Sequence, residues 1–228
     1  CEISIPSKLV ELEDSWFHNS GDLMYISVMP KNPYFMCLDS ELLLRKSSNE
    51  SQNFDILALS VRNIKKVAIP SFIKIIENHA FEYCCELQIV DFSEDSKLQI
   101  IGKNGFYSTA IDKIKIPCHV TKIDIFAFYN CIFLNKVQIP IESELEFIGK
   151  RAFAKTLIES LYITSHVNEI GVFAFENCSN LHIIEIDENS ELKSIDSCVF
   201  KGVINGVLMV PINLKELKFS CNVHSEYE

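Results

Sequence analysis

Residues 111–153 read IDKIKIPCHVTKIDIFAFYNCIFLNKVQIPIESELEFIGKRAF. Within this stretch Ala127-Phe128 and Ala152-Phe153 stand 25 residues apart, and the same dipeptide, or a relative of it, ends at Phe81, Phe106, Phe175 and Phe200. The five spacings run 25, 22, 25, 22 and 25, so two half-units alternate in a 47-residue period. Cys84, Cys131 and Cys178 keep that period, as do Ser96, Ser143 and Ser190. Pro70, Pro117 and Pro211 share one phase, with Thr164 in the fourth place. A fixed period carried by several residue classes at once is the signature of a repeat architecture.

Each half-unit opens on an apolar-x-x-apolar-x-apolar pattern, as in Ile64/Val67/Ile69, Leu87/Val90/Phe92, Ile111/Ile114/Ile116 and Leu134/Val137/Ile139. The last two positions alternate at period two and favour β-branched residues, which predicts a short half-buried strand. Pro70, Pro117 and Pro140 follow at once and end it, because proline has no N–H for a ladder. A return segment with anchors such as Ile73/Ile76, Val120/Ile123 and Leu145/Ile148 then leads to the Ala-Phe pair. Units of 22–25 residues with one short strand cannot bury their own apolar face, but stacked in parallel they share a core. The pattern therefore predicts an α/β repeat: a leucine-rich-repeat solenoid with a curved parallel β-sheet on the concave face and short helical or irregular turns on the convex face. The phenylalanines are expected to fill the outer end of every rung.

The N-terminal third follows the pattern with an offset of 64: Ile5-Pro6, Trp16-Phe17 and Val28 align with Ile69-Pro70, Ala80-Phe81 and Phe92. Between Val28 and Ile64 the period breaks, and Leu42–Arg45 and Ile56–Ser60 read as two strands around the polar loop Lys46–Asn53. One solenoid is thus expected over residues 1–217, with residues 30–63 an inserted irregular repeat or hairpin and residues 218–228 a polar C-terminal tail.

Composition narrows the function. The chain of 228 residues is 48% hydrophobic and 23% charged, enough to bury a core. Its net charge of −10 argues against nucleic acid as a partner and against electrostatic attachment to an anionic membrane. No apolar run approaches the roughly 18–20 residues of a membrane span. Sixteen Phe against seven Gly is unusual, since a chain built on phosphate loops or many sharp turns would want more glycine. No G-x-S-x-G elbow, P-loop or H-E-x-x-H is present, and Ile101–Lys103 and Ile148–Lys150 belong to the repeat. No catalytic residue, no metal ligand and no cofactor is predicted, so the chain is read as not an enzyme.

The stretches Ile111–Pro117, Val120–Leu134 and Ser143–Phe153 resemble the BspA-like leucine-rich-repeat proteins. The insert, with Asn32-Pro33-Tyr34-Phe35, Leu38-Asp39 and Leu43-Leu44-Arg45-Lys46, resembles one found in the trichomonad branch of that family. Gly105 and Val199 depart from the motif alanine, and Ser20 from the motif cysteine. The resemblance implies a non-enzymatic surface antigen that adheres to host cells, matrix or other microbes through a protein or glycan ligand. It implies a cell-surface or secreted location. The alternative is a cytoplasmic scaffold recruiting a protein partner, favoured by abundant free thiols. Either acts as a monomer or as a weak end-to-end oligomer.

Cys84, Cys131 and Cys178 recur every second rung, about 10 Å apart if rungs are spaced as in a sheet, beyond the roughly 7 Å Cα limit of a disulfide. A buried ladder of free thiols is the expectation. His119 and His166 share a position just after the strand and read as solvent-facing turn residues. The outward strand positions place Lys66, Lys113, Lys115, Lys136 and Tyr162 on the concave face as candidate ligand-binding residues for an anionic partner. Asn49, in the sequon Asn49-Glu50-Ser51, is the candidate glycosylation site if the chain is exported; the sequon at Asn177 lies beside the thiol ladder.

Overall fold

The computed structural model describes residues 1–13, 21–48, 50–203, 207–209 and 216–218. Strands at Lys66–Ile69, Ile89–Phe92, Lys113–Lys115, Lys136–Gln138, Ser160–Ile163, Ile183–Ile186 and Val207–Met209 stack one above another as a front ladder. Every pair within it is parallel, and the hydrogen-bonded pairing falls into three runs. Lys66 faces Ile89, Lys113 faces Lys136 and Ser160 faces Ile183, each 23 residues on. Burial alternates as the period-two pattern requires: Val67, Ile114, Val137, Leu161 and Ile184 point inward.

The return segments build a second parallel ladder. Its strands are two residues each, at Ile75–Ile76, Ile100–Ile101, Lys122–Ile123, Phe147–Ile148 and Glu169–Ile170. At its N-terminal end the chain inserts the antiparallel strands Phe35–Leu38, Leu42–Arg45 and Ile56–Ser60, the last of which pairs in parallel with Ile75–Ile76. Leu42, Leu43, Leu44, Leu57 and Leu59 are all buried, so the insert extends the core and does not stand off from it. Glu2–Ile5 and Tyr25–Val28 form a further parallel pair at the N-terminus.

Where short helical or irregular turns were expected, this second ladder and non-helical turns stand; the helical element among the described residues is one 3-10 turn, Ser197–Phe200. The reason lies in the backbone around each Phe. Ala80, Glu82 and Cys84 donate to the carbonyls of Glu77, His79 and Phe81 within the coil, whereas His79, Phe81 and Tyr83 donate to Lys103, Gly105 and Tyr107 of the next coil. An α-helix needs all its N–H groups for its own chain; here alternate ones are committed to the neighbouring rung. The same cross-rung bond recurs from Phe106 to Ala127 (2.8 Å), Phe128 to Ala152 (2.7 Å) and Phe153 to Ala174 (2.8 Å).

That alternation requires left-handed backbone on both sides of each Phe. His79, Asn104, Phe126, Arg151 and Phe173 precede it by two, Tyr83, Ser108, Asn130, Lys155 and Asn177 follow it by two, and all ten have φ between 54° and 64°. Left-handed positions are thus plentiful in a glycine-poor chain and are carried by other residues. Each such residue costs about 1 kcal/mol or more, which the shared hydrogen bonds and burial must offset. Glycine is instead used where coils touch: a Cβ on Gly149 would lie 2.5 Å from the backbone of Asp124 and Ile125, and one on Gly171 2.4 Å from Lys150 N.

The core is a column of rings. Phe81, Phe106, Phe128, Phe153 and Phe175 are fully buried, with successive centroids 5.0, 5.2, 5.1 and 5.6 Å apart and planes within 5°. Each aromatic pair adds roughly 0.5–1.5 kcal/mol beyond burial. Beside it runs the thiol column, with Cys84, Cys131 and Cys178 free and buried. Cys131 Sγ donates to the Phe106 carbonyl (3.0 Å) and Cys178 Sγ to that of Phe153 (3.2 Å). The intervening rungs put Thr109 and Thr156 in the same column, each 3.3 Å from the next thiol, so thiols and hydroxyls alternate. Burial pushes the Cys84 and Cys131 thiols up to about 11. Cys198 is disulfide-bonded.

Candidate functional site

Because the front strands alternate, their outward positions form two columns across the rungs. One runs Lys66, Ile89, Lys113, Lys136, Ser160 and Ile183; the other runs Ala68, Asp91, Lys115, Gln138, Tyr162 and Glu185. Contact between the runs continues through Leu157 N–H to the Leu134 carbonyl (2.9 Å) and Glu159 N–H to that of Asn135 (3.1 Å). The candidate residues of this face do not all share one fate.

Lys66 is neutralised by Asp91, with Nζ 3.2 Å from Oδ2. Tyr162 donates its hydroxyl to Asp187 Oδ2 at 2.5 Å. That bond pushes the Tyr162 phenol up to about 12 and holds the Asp187 carboxyl below the usual range. Lys113 and Lys136 differ: they are register neighbours, both exposed, and among the described residues neither has an ion pair or hydrogen bond from its ammonium group. Lys115 is likewise exposed and unpaired, beside Gln138. Like charges on adjacent strands are unfavourable, so three neighbouring ammonium groups without an acid form a cationic spot in a chain of net charge −10. A groove of 420 Å³ adjoins it, lined by Asp91, Glu94, Lys115, Pro117 and Glu142 among others, so the spot has an acidic border on one side.

Structure thus brings Lys113, Lys115 and Lys136 together and sets Lys66 and Tyr162 apart in carboxylate contacts. The two pairings escaped the sequence reading, although Asp91 was placed on the same outward face. Their signal was spacing: Asp91 and Asp187 each lie 25 residues after their partner, two beyond the register offset of 23, and so meet it diagonally. Asn49 lies outside the described residues. His119 and His166 are exposed; His119 Nδ1 is 3.0 Å from Glu144 Oε1.

The family described as BspA type leucine rich repeat region (6 copies) matches residues 58–182 and 99–226. The chain belongs to it. No curated protein matches the chain in sequence. A leucine-rich repeat protein from Eubacterium ventriosum is similar in structure, with a TM-score of 0.78 at 19% identity, over 95% of this chain and 56% of the other. This BspA-type chain therefore spans just over half the length of that protein. The leucine-rich repeat protein of T. pallidum gives a TM-score of 0.65 at 20% identity, covering 83% of this chain and 85% of the other. One from Bacteroides ovatus gives 0.53 at 17% identity, covering 95% and 74%. At such identities the likeness carries the fold, a parallel-strand solenoid of stacked coils. Among the described residues no helix is long and apolar enough to cross a membrane.

Proposed function

We propose that this chain is a non-enzymatic interaction module, a cell-surface antigen that adheres to host cells, matrix or other microbes through the exposed face of the front ladder. The observation that carries this reading is the trio Lys113, Lys115 and Lys136, adjacent in register and without acidic partners. Surface ammonium groups left unneutralised in an acidic chain steer an anionic partner and raise its encounter rate. Family membership supports a binding role on a repeat scaffold. An evenly repeated coil presents the same backbone at each rung, so recognition comes from outward side chains.

The test is binding of the purified chain to a host-cell monolayer and to a sulfated-glycan surface, with Lys113→Glu and Lys136→Glu combined. Loss of binding in the double variant, with unchanged melting, is the expected result. Undiminished binding would remove this face from the account.

A second reading, an intracellular scaffold, has one observation in its favour: among the described residues seven cysteines are free, including exposed Cys1 and Cys85. Thiols kept reduced suit a reducing compartment. Both readings use the same front face and differ in location.

A further inference from the structure

The corner of the coil at the Phe turns carries a second set of aromatic rings, outside the buried Phe column. Tyr83, Tyr107 and Tyr129 climb three successive rungs, with centroids 5.3 and 5.2 Å apart. Tyr107 and Tyr129 stack within 20°, while Tyr83 meets Tyr107 at 73° and Phe126 meets Tyr129 at 82°. The cluster therefore offers ring faces as well as edges. A groove of 420 Å³ opens over it, within the roughly 300–1,000 Å³ typical of small-ligand sites.

Asn104 is 9% exposed, its Nδ2 reaches Glu82 Oε1 (3.4 Å), and its Oδ1 is buried with no hydrogen-bond partner. A buried acceptor without a donor is unfavourable by about 1–3 kcal/mol. Cations flank the rings. Lys103 is exposed and unpaired, and Arg151 bonds Glu176 through Nε alone (2.9 Å), leaving its other N–H groups without an acceptor among the described residues. Lys155 Nζ lies 5.1 Å from the Tyr129 ring centre.

We propose that this turn-side groove binds an acidic saccharide, with the tyrosines contacting a sugar ring and Lys103 and Arg151 receiving its acid group. It is separate from the lysine trio of the front ladder. An extended peptide fits less well, since strand addition needs free main-chain groups. The N–H groups of Tyr83, Ser108 and Asn130 are already bonded to the next coil. Burial and its tyrosine neighbours push the Tyr107 phenol up to about 12.

The test is titration of the full chain with sialyllactose, a galacturonic acid disaccharide and a sulfated heparin disaccharide, with lactose as the neutral control. At least one acidic sugar is expected to saturate with a Kd at or below about 1 mM, and lactose to bind at least about tenfold more weakly. Lys103→Glu, at an exposed side chain, should weaken binding by about tenfold or more with melting unchanged, and Tyr83→Ala should weaken it as much in a chain that still folds, whereas Lys113→Glu with Lys136→Glu should leave it intact. The proposal is overturned by no saturation with any acidic sugar at about 10 mM, by equal affinity for lactose, or by binding that survives Lys103→Glu and Tyr83→Ala and is lost with the front-ladder pair.

Discussion

The ring of Phe128 lies 5.1 Å from that of Phe153, within 3° of parallel, and the Phe128 N–H donates to the carbonyl of Ala152 at 2.7 Å. One dipeptide thus supplies both a core ring and a rung-to-rung hydrogen bond. Its repetition explains how a chain with seven glycines can turn at every coil: the stack holds the turns, and the turns need no helix.

Truncating that ring should be costly. Phe128→Ala is expected to destabilise by about 3–5 kcal/mol, while Phe133→Ala, at a side chain 55% exposed, should stay within about 0.5 kcal/mol. Urea unfolding of the two variants checks this. Equal losses would contradict a core organised around the Phe column.

Backbone contact between coils gives a second pair. Gly149→Ala places a methyl 2.5 Å from the preceding coil and should lower the melting temperature by several degrees. Lys155, with φ 61°, is strained, and Lys155→Gly should be neutral or raise stability by up to about 1 kcal/mol, reduced by loss of its contact with Tyr129. Calorimetry of both variants is sufficient; a stabilising Gly149→Ala would refute the close approach.

Thiol reactivity follows burial. Cys1 and Cys85 are exposed and should alkylate quickly in the native protein; Cys84, Cys131 and Cys178 should label only on unfolding. Raised thiol pKa values, about 11 for Cys84 and Cys131, reinforce the difference at neutral pH. Peptide mapping after timed alkylation reads each site, and rapid native labelling of Cys131 would contradict the closed column.

The Tyr162–Asp187 contact predicts an alkaline response. Tyr162 has a folded-state pKa raised to about 12, above the roughly 10 of a free phenol. Its contribution is complete below the unfolded value and is lost as pH rises from about 10 toward 12. Tyr162→Phe should therefore lower the melting temperature slightly at pH 7 and flatten its fall above pH 10, which thermal melts across pH would show. An unchanged alkaline limb would count against the bond.

Much of this was legible in the sequence because residues in phase are residues in contact. Phe81 through Phe200 gave the ring column, Cys84, Cys131 and Cys178 the thiol column, and the alternation at Lys113–Lys115 the outward lysines. What escaped leaves little periodic trace. Two-residue strands such as Lys122–Ile123 are too short to show alternation, and left-handed backbone at Lys155 or Phe126 follows from cross-rung bonds that outweigh local preference. Thr109 and Thr156 were hidden by their different residue type, although they keep the 47-residue spacing. The Asn104 groove depends on side-chain packing across three rungs and has no local signature.

Brief protease treatment of intact source cells, followed by detection of this chain, tests the central claim most directly. An adhesion module on the cell surface predicts loss of the chain while cytosolic markers stay intact. Full protection of the chain under conditions that remove other surface proteins would contradict it and leave the scaffold reading of the same face.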